Sequence, residues 1–506
     1  MLKNSQIILC TLNAQYIHSA FGLRYLLANM GSLKDRTQIV EFNIKDNSLQ
    51  MAEQLLELEA KIIGFGVYIW NVQETLALIR IIKQIAPHIQ IILGGPEISY
   101  EWNEQEIFAH CDHIIIGEGE ISLPELCQKI LSGEEEKKVL FGKSPDVETL
   151  CYPYSLYSDE DIAHRVLYVE ASRGCPFRCQ FCLSSLDKKV RAFPLASFLV
   201  EMQRLIDRGA RQFKFVDRTF NLSPKTSSRI LEFFLQQNLP DLFLHFEMVP
   251  DRFPDSLREW IVRFPRGSIQ FEVGIQSFNP EVTARIARRQ NNEKAKENLL
   301  FLQKTGVHLH TDLIIGLPGE DILSFAEGFN TLLGLGVEEI QVGILKRLRG
   351  APIARHTEEW NMIYRSTPPY EIIQNKSLDF KELAQLRRFA RYWNIIGNSG
   401  RFNNTLVLFK ESDNPFQAFF QFSSWLYQKT ERTHKISYNN LLQYLQEYWI
   451  QEGIDAERIL ALLCKDYQKT TGKTHVPRFL TEDKKSRGTP SSSGASRQSR
   501  HLRQTR

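Results

Sequence analysis

Ala171-Ser172-Arg173-Gly174-Cys175-Pro176-Phe177-Arg178-Cys179-Gln180-Phe181-Cys182 follows the apolar stretch Val166 to Glu170 and holds three of the chain's eight cysteines as Cys-x3-Cys-x2-Cys. Spacings this short let one loop bend round a single centre, and thiolates are soft ligands suited to zinc or an iron–sulfur cluster. Three thiolates leave a tetrahedral or cubane centre one ligand short, a place that substrate or cofactor can fill. A structural zinc wants a fourth Cys or His nearby. The next cysteine is Cys464, and the nearest histidine, His164, lies upstream of the apolar stretch. The spacing favours an iron–sulfur cluster over zinc, with three unligated cysteines as the plain alternative. Cys10, Cys111, Cys127, Cys151 and Cys464 are scattered, which speaks against a disulfide scaffold and for a reducing compartment, the cytoplasm.

The loop opens a series of alternating strands and helices. Val166 to Glu170, Gln212 to Val216, Phe243 to Met248, Ser268 to Gly274, His308 to Ile314 and Glu339 to Ile344 read as strands. Helices are expected over Leu195 to Asp207, Ser227 to Gln236, Asp255 to Phe264, Asn292 to Lys304 and Ile322 to Leu335. Six strands are too few for a closed eight-stranded barrel, so the expectation is a partial (β/α)6 barrel over residues 166–349. A flat doubly wound sheet is the competing reading.

Upstream, Gln6 to Leu12, Gln38 to Phe42, Ile62 to Val67, Ile89 to Leu93 and His113 to Ile116 alternate with helical stretches. Five such units predict a doubly wound, Rossmann-like α/β domain over residues 1–135, whose ligand would sit beyond the carboxyl ends of the strands. The loops there include Gly94-Gly95-Pro96-Glu97 and Gly117-Glu118-Gly119-Glu120. Neither a GxGxxG fingerprint nor a phosphate loop occurs, so the usual nucleotides lose ground; tight turns alone would also account for the glycines. Residues 136–165 read as a linker and 350–483 as a mainly helical domain, with helices over Leu378 to Asn394, Pro415 to Gln428, Tyr438 to Glu452 and Ala456 to Tyr467. Residues 484–506 read as a disordered basic tail.

With 43% hydrophobic and 24% charged residues, the chain is neither fibrous nor wholly disordered. The formal charge is +3, but the tail holds seven basic residues and no acid, which leaves 55 against 59, or −4, for the first 483. Such a body has no global field for a phosphate backbone, so nucleic acid is not favoured as a partner. No stretch reads as a membrane span, and Ile7 to Cys10 reads as a buried strand rather than the core of a signal peptide.

The cysteine pattern, with Phe181 before its last cysteine, matches the signature of radical S-adenosylmethionine (SAM) enzymes, and the preceding α/β units resemble their cobalamin-binding partner domain. Residues 5 to 350 together resemble the B12-binding-domain radical SAM superfamily, and the remainder resembles the C-terminal extension of one of its branches. The resemblance implies that Cys175, Cys179 and Cys182 ligate a [4Fe–4S] cluster whose fourth iron SAM chelates, with Phe181 beside the adenine. It places Asp217, and more weakly Thr219, at the SAM amino group, Glu272 and Gln276 near its ribose or methionine, and Ile314 and Gly316 against the adenine. Gly94, Gly95, Pro96, Glu97, Gly117, Glu118 and Gly119 would cradle cobalamin. The Asp-x-His-x2-Gly string that supplies a lower axial histidine is absent, and His18 lacks its flanks; a degenerate domain kept as a structural partner is the alternative.

The implied chemistry is reductive cleavage of SAM, fed by an electron donor such as flavodoxin or ferredoxin, and methylation of an unactivated carbon in a small-molecule substrate. Rearrangement or cyclisation without methyl transfer is a second reading, an RNA-modifying or RNA-binding protein a third, and a non-enzymatic Fe–S interaction protein a fourth.

Overall fold

The computed structural model describes residues 5–481, and the basic tail expected over 484–506 lies outside them. Ile7–Asn13 (β1), Thr37–Asn43 (β2), Ile62–Gly66 (β3), Gln90–Gly94 (β4) and His113–Ile116 (β5) form the expected parallel strands. Successive side chains of a strand point to opposite faces, and β1 feeds two separate cores. Ile8, Cys10 and Leu12 pack with Met51, Leu55, Leu78 and Ile82, whereas Ile7 and Leu9 pack with Leu23, Met30, Leu123 and Leu126. Burial on both faces explains the continuous apolar runs.

One boundary differs from the expectation. Val139–Phe141 (β6), assigned to the linker, pairs parallel with β5 and completes the order β2-β1-β3-β4-β5-β6. Val139 to Phe141 is an apolar run of only three residues, too short to read as a strand, with Phe141 75% exposed at the sheet edge, and the charges of Glu134 to Lys138 hide its start. The rest of the linker is also structured: Tyr154 and Tyr157 are buried in the core of the second domain.

Leu167–Val169 (β7), Gln212–Phe215 (β8), Phe243–Met248 (β9), Ile269–Gln276 (β10), His308–Ile315 (β11) and Glu339–Ile344 (β12) pair parallel in the single-direction order β12-β11-β10-β9-β8-β7. Among the described residues β7 and β12 do not pair with each other or with a further strand, so the barrel is open. Burial alternates along β9 and β11. Leu244, Phe246 and Met248 face the helices, and His245 and Glu247 face the other way, into the lumen. A doubly wound sheet would bury apolar residues on both faces; the charged face decides for the partial barrel.

The first domain lies against the barrel's open side. His18 Nδ1 is 2.6 Å from Tyr168 Oη on β7, and the carboxylates of Glu97 and Glu101 meet Arg347 and Arg349 just past β12. Glu41 and Asp161 hold Arg24 and Arg165 in a buried network across the same interface.

Beyond β12 a short ladder of Ile363–Tyr364 with Ile372–Gln374 precedes the helices Phe380–Ile396, Pro415–Thr430, Tyr438–Gln451 and Ala456–Thr471. Asp379 and Glu382 form a capping box that starts the first of these. Phe389 and Trp393 then pack edge-on against Phe329 of the barrel helix Ile322–Gly334, so extension and barrel share one core. Among the described residues no helix is long and apolar enough to cross a membrane.

Candidate functional site

Gly174 turns the chain out of β7 with φ +93°, and a Cβ there would sit 2.4 Å from Lys189 O, so the cysteine loop needs glycine at this point. Cys175 N–H donates to Asp187 O and Cys182 N–H to Cys179 O, which folds the loop back on itself. Cys175, Cys179 and Cys182 then line one cavity together with Phe181, Thr219, Glu272 and Gln276. Burial pushes the Cys175 and Cys179 thiols up, so metal binding there releases protons. Arg288 donates to Cys179 Sγ at 3.6 Å and opposes that rise. Among the described residues no three Cys, His, Asp or Glu side chains converge on a single ion. Three thiols lining one cavity are soft donors of the kind that hold the irons of a cluster.

Glu272 faces the cavity from β10. Its Oε2 accepts from His245 Nε2 at 3.0 Å and lies 3.5 Å from Lys214 Nζ. That hydrogen bond leads in holding the carboxyl down to about 2. Gln276 stands where the β10–β11 register slips, with φ +70°. A non-glycine residue held there costs on the order of 1–3 kcal/mol, a strain common at ligand sites.

Asp217 behaves differently from its assignment to the SAM amino group. Its oxygens accept from Ala171 N–H at 2.9 Å and Ser172 O–H at 2.6 Å, and the residue does not line the cavity. Burial pushes its carboxyl up to about 6 despite these bonds. It ties the end of β8 to the start of the cysteine loop, while Thr219 two residues on reaches the cavity. Ile314 and Gly316 also stand outside the cavity lining. Gly316 O accepts from Asn375 Nδ2, and a Cβ on Gly316 would strike Ile372 at 2.6 Å, so this strand end meets the C-terminal extension.

Arg218, Glu247, Arg288 and Asp312 line the cavity without having been singled out from the sequence. Burial pushes Glu247 up to about 7. Alternation of charge along Phe243 to Met248 was the signal for Glu247; nothing local marked Arg288, which arrives from a loop more than a hundred residues after the cysteines.

The order of the first sheet reverses between β1 and β3, and ligands of such sheets bind at that switch. A second cavity lies there, lined by Gly22, Gly66, Gly94, Gly95, Gly117 and Gly119 among apolar residues. A Cβ on Gly94 would meet nothing closer than Ile115 O at 4.0 Å; the missing side chain leaves room for a flat ligand. Gly95 has φ +105° and lies against Val67 O, so it shapes the turn. Pro96 follows it without lining the cavity. Glu97 turns away from the crevice and accepts from Tyr370 O–H at 2.7 Å. Glu118 lines the crevice, yet its carboxylate is taken by Arg173 and Arg191.

Residues 8–127 match the B12 binding domain family, 169–332 the radical SAM superfamily, and 358–505 a family described as a protein of unknown function, DUF4080. The chain is a member of the B12-binding radical SAM superfamily. An uncharacterized methyltransferase of Pyrococcus horikoshii is 24% identical over 59% of this radical SAM chain and 70% of its own length. The cobalamin-dependent radical SAM methyltransferase TokK of Streptomyces tokunonensis is 23% identical over 60% of this chain, which spans about half (49%) of TokK. Among solved structures, the radical SAM methyltransferase TsrM of Kitasatospora setae, with tryptophan and a SAM analogue, matches at TM-score 0.57 and 16% identity over 74% of this chain and 80% of its own. The cobalamin-dependent SAM radical enzyme OxsB, with aqua-cobalamin and SAM, matches at 0.60 and 14% over 94% and 82%. The two structures establish the shared fold.

Proposed function

We propose that this enzyme is a cobalamin-dependent radical SAM methyltransferase that acts in the cytoplasm on an unactivated carbon of a small-molecule substrate. One observation carries the reading: Glu118 lines the glycine crevice and bonds Arg173, two residues before Cys175, so an ion pair ties the crevice wall to the start of the cysteine loop. Held by these residues, a [4Fe–4S] cluster would supply the electron for SAM cleavage and cobalamin would supply a methyl carrier.

The protein's own residues do the rest. Cys175, Cys179 and Cys182 would hold the cluster, and Arg288 beside Cys179 favours the thiolate. Glu272, ionised at neutral pH, offers fixed negative charge to a cationic ligand such as SAM, and Phe181 offers it an aromatic face. The glycine crevice would hold the corrin or its nucleotide tail. The segment from Arg347 to Asn375 touches the first domain, through Glu97, and the end of β11, through Gly316, and so bridges the two domains. The relatives described as methyltransferases support methyl transfer. Radical rearrangement or cyclisation without methyl transfer is the second reading. SAM carrying a deuterated methyl group separates them: label in a small-molecule product supports methylation, whereas 5′-deoxyadenosine with label confined to methionine supports the second reading.

A further inference from the structure

Glu118 does more than line the glycine crevice. Ser172–Arg173 and Arg191–Ala192 pair antiparallel, and Cys175 N–H donates to Asp187 O at 2.9 Å just inside them. These contacts close a neck on the loop that carries the three clustered cysteines. Both arginines of the neck converge on the one carboxylate. Its Oε1 accepts from Arg173 Nη1 at 3.0 Å and from Arg191 Nη2 at 3.0 Å, and its Oε2 accepts from Arg191 Nη1 at 2.9 Å. The bond to Arg191 is bidentate, a geometry that fixes orientation as well as distance. Burial works against the charge, yet Arg191, Ser144 and Arg173 hold the carboxyl below its usual range.

The two arginines are not held alike. Arg173 is also bonded by Glu120 at 2.6 Å and Glu170 at 2.9 Å, and it lies 4.6 Å over the Tyr25 ring. Arg191 leans on Asp187 of its own loop and on Ser144 Oγ. Glu118 itself stands between Gly117, at φ +87° with open space where a Cβ would be, and Gly119. A carboxylate between two glycines can shift at little backbone cost, and a ligand in the crevice meets it directly. Resting on the proposed cofactor sites, we propose that Glu118 is a positioning residue that couples them: corrin seated in the crevice fixes its carboxylate, the carboxylate fixes the neck of the cysteine loop, and the cluster cavity then binds SAM more tightly. All the cavity residues that the loop supplies, Cys175 to Ser185, lie between the two arginines, so a shift at the neck reaches every one of them. Linkage makes the effect reciprocal, and SAM tightens corrin by the same factor.

The test uses the cluster-reconstituted full chain without reductant, so that SAM is bound and not cleaved. Equilibrium dialysis of labelled SAM should give at least about fivefold tighter binding when hydroxocobalamin is present, and hydroxocobalamin should bind tighter by an equal factor when SAM is present. Arg191→Met cuts the far side of the neck and leaves the crevice lining in place. It should bring that factor to within about twofold of one, with hydroxocobalamin affinity in the SAM-free protein within about twofold of wild type. Hydrogen–deuterium exchange over residues 173–191, with SAM absent, reads the neck itself: hydroxocobalamin should slow it in the wild type and not in Arg191→Met. If the melting temperature shows that Arg191→Met misfolds, Glu118→Gln, which keeps the side chain's shape and removes its charge, is held to the same factor. Equal SAM affinity with and without hydroxocobalamin in the wild type overturns the proposal, and so does coupling that survives the variant intact. A wild type that binds both cofactors without coupling leaves the functional reading standing, whereas one that retains no hydroxocobalamin or binds no SAM removes that reading and the coupling with it.

Discussion

The two parallel sheets are built from the same strand–helix unit and end in opposite kinds of site. The first reverses its strand order between β1 and β3, buries both faces, and leaves at the reversal a crevice made of glycines and aliphatic side chains. The second keeps one order throughout, curls into the open barrel, and turns Lys214, His245, Glu247, Glu272, His310 and Asp312 into its lumen. Strand order, more than strand composition, decides where a ligand can enter; composition then decides what kind. Glu118 in the first site's lining, and Glu97 beside it, are spent on arginines of the second domain, whereas Glu247 and Glu272 line the second cavity with partners from the barrel itself.

The sharpest way to separate the regions is Cys179→Ala. Cluster incorporation, followed by iron content and visible absorption, should be lost with all SAM cleavage, while cobalamin retention by the first domain persists. Loss of both cofactors together would mean that the two sites do not fold independently.

Next comes the interface that joins them. Glu41 is 2.6 Å from Arg24 and 3.0 Å from Arg165, all nearly buried. Glu41→Ala leaves Asp161 as the remaining carboxylate for both guanidiniums and should cost about 2–3 kcal/mol, read as a lower denaturation midpoint. A shift under about 1 kcal/mol would show that Asp161 alone suffices to hold the two arginines.

Inside the lumen, His310 lies between Asp312, at 3.3 Å, and Glu339, at 3.1 Å. Burial works against its charge, but the two carboxylates outweigh it and push the imidazole up to about 10. A raised folded-state value gives stability that is fully present below pH ~6.5 and lost as pH rises through about 10. His310→Gln should therefore cost about 2 kcal/mol at pH 6, with the gap from wild type closing towards pH 10. A gap that stays constant with pH would remove the charged imidazole from the account.

The smallest effect is expected in the crevice. Gly94→Val has steric room on the backbone and fills the space a ligand would use, so retained corrin should fall about tenfold, or ~1.4 kcal/mol, with the melting temperature nearly unchanged. Full retention would shift the cobalamin site away from the switch point.

Much of this was legible because period and order survive in sequence. The apolar runs of β1 and β3 and the alternation in β9 and β11 follow from burial on two faces or one. The cysteine loop is local, so its spacing carries its chemistry. Asp217 and Arg288 show where such reading stops. Asp217 sits at the expected strand end, but its side chain is captured by Ala171 and Ser172, a choice made by tertiary contact. Arg288 reaches Cys179 across more than a hundred residues of chain. β6 escaped for a simpler reason: its apolar run, Val139 to Phe141, is only three residues long and follows a charged stretch.

The most direct test of the central claim is anaerobic reduction of the reconstituted, cobalamin-incubated and desalted protein in the presence of SAM. The account predicts 5′-deoxyadenosine together with close to one equivalent of retained corrin. A full [4Fe–4S] complement that yields no 5′-deoxyadenosine and retains no corrin would contradict it.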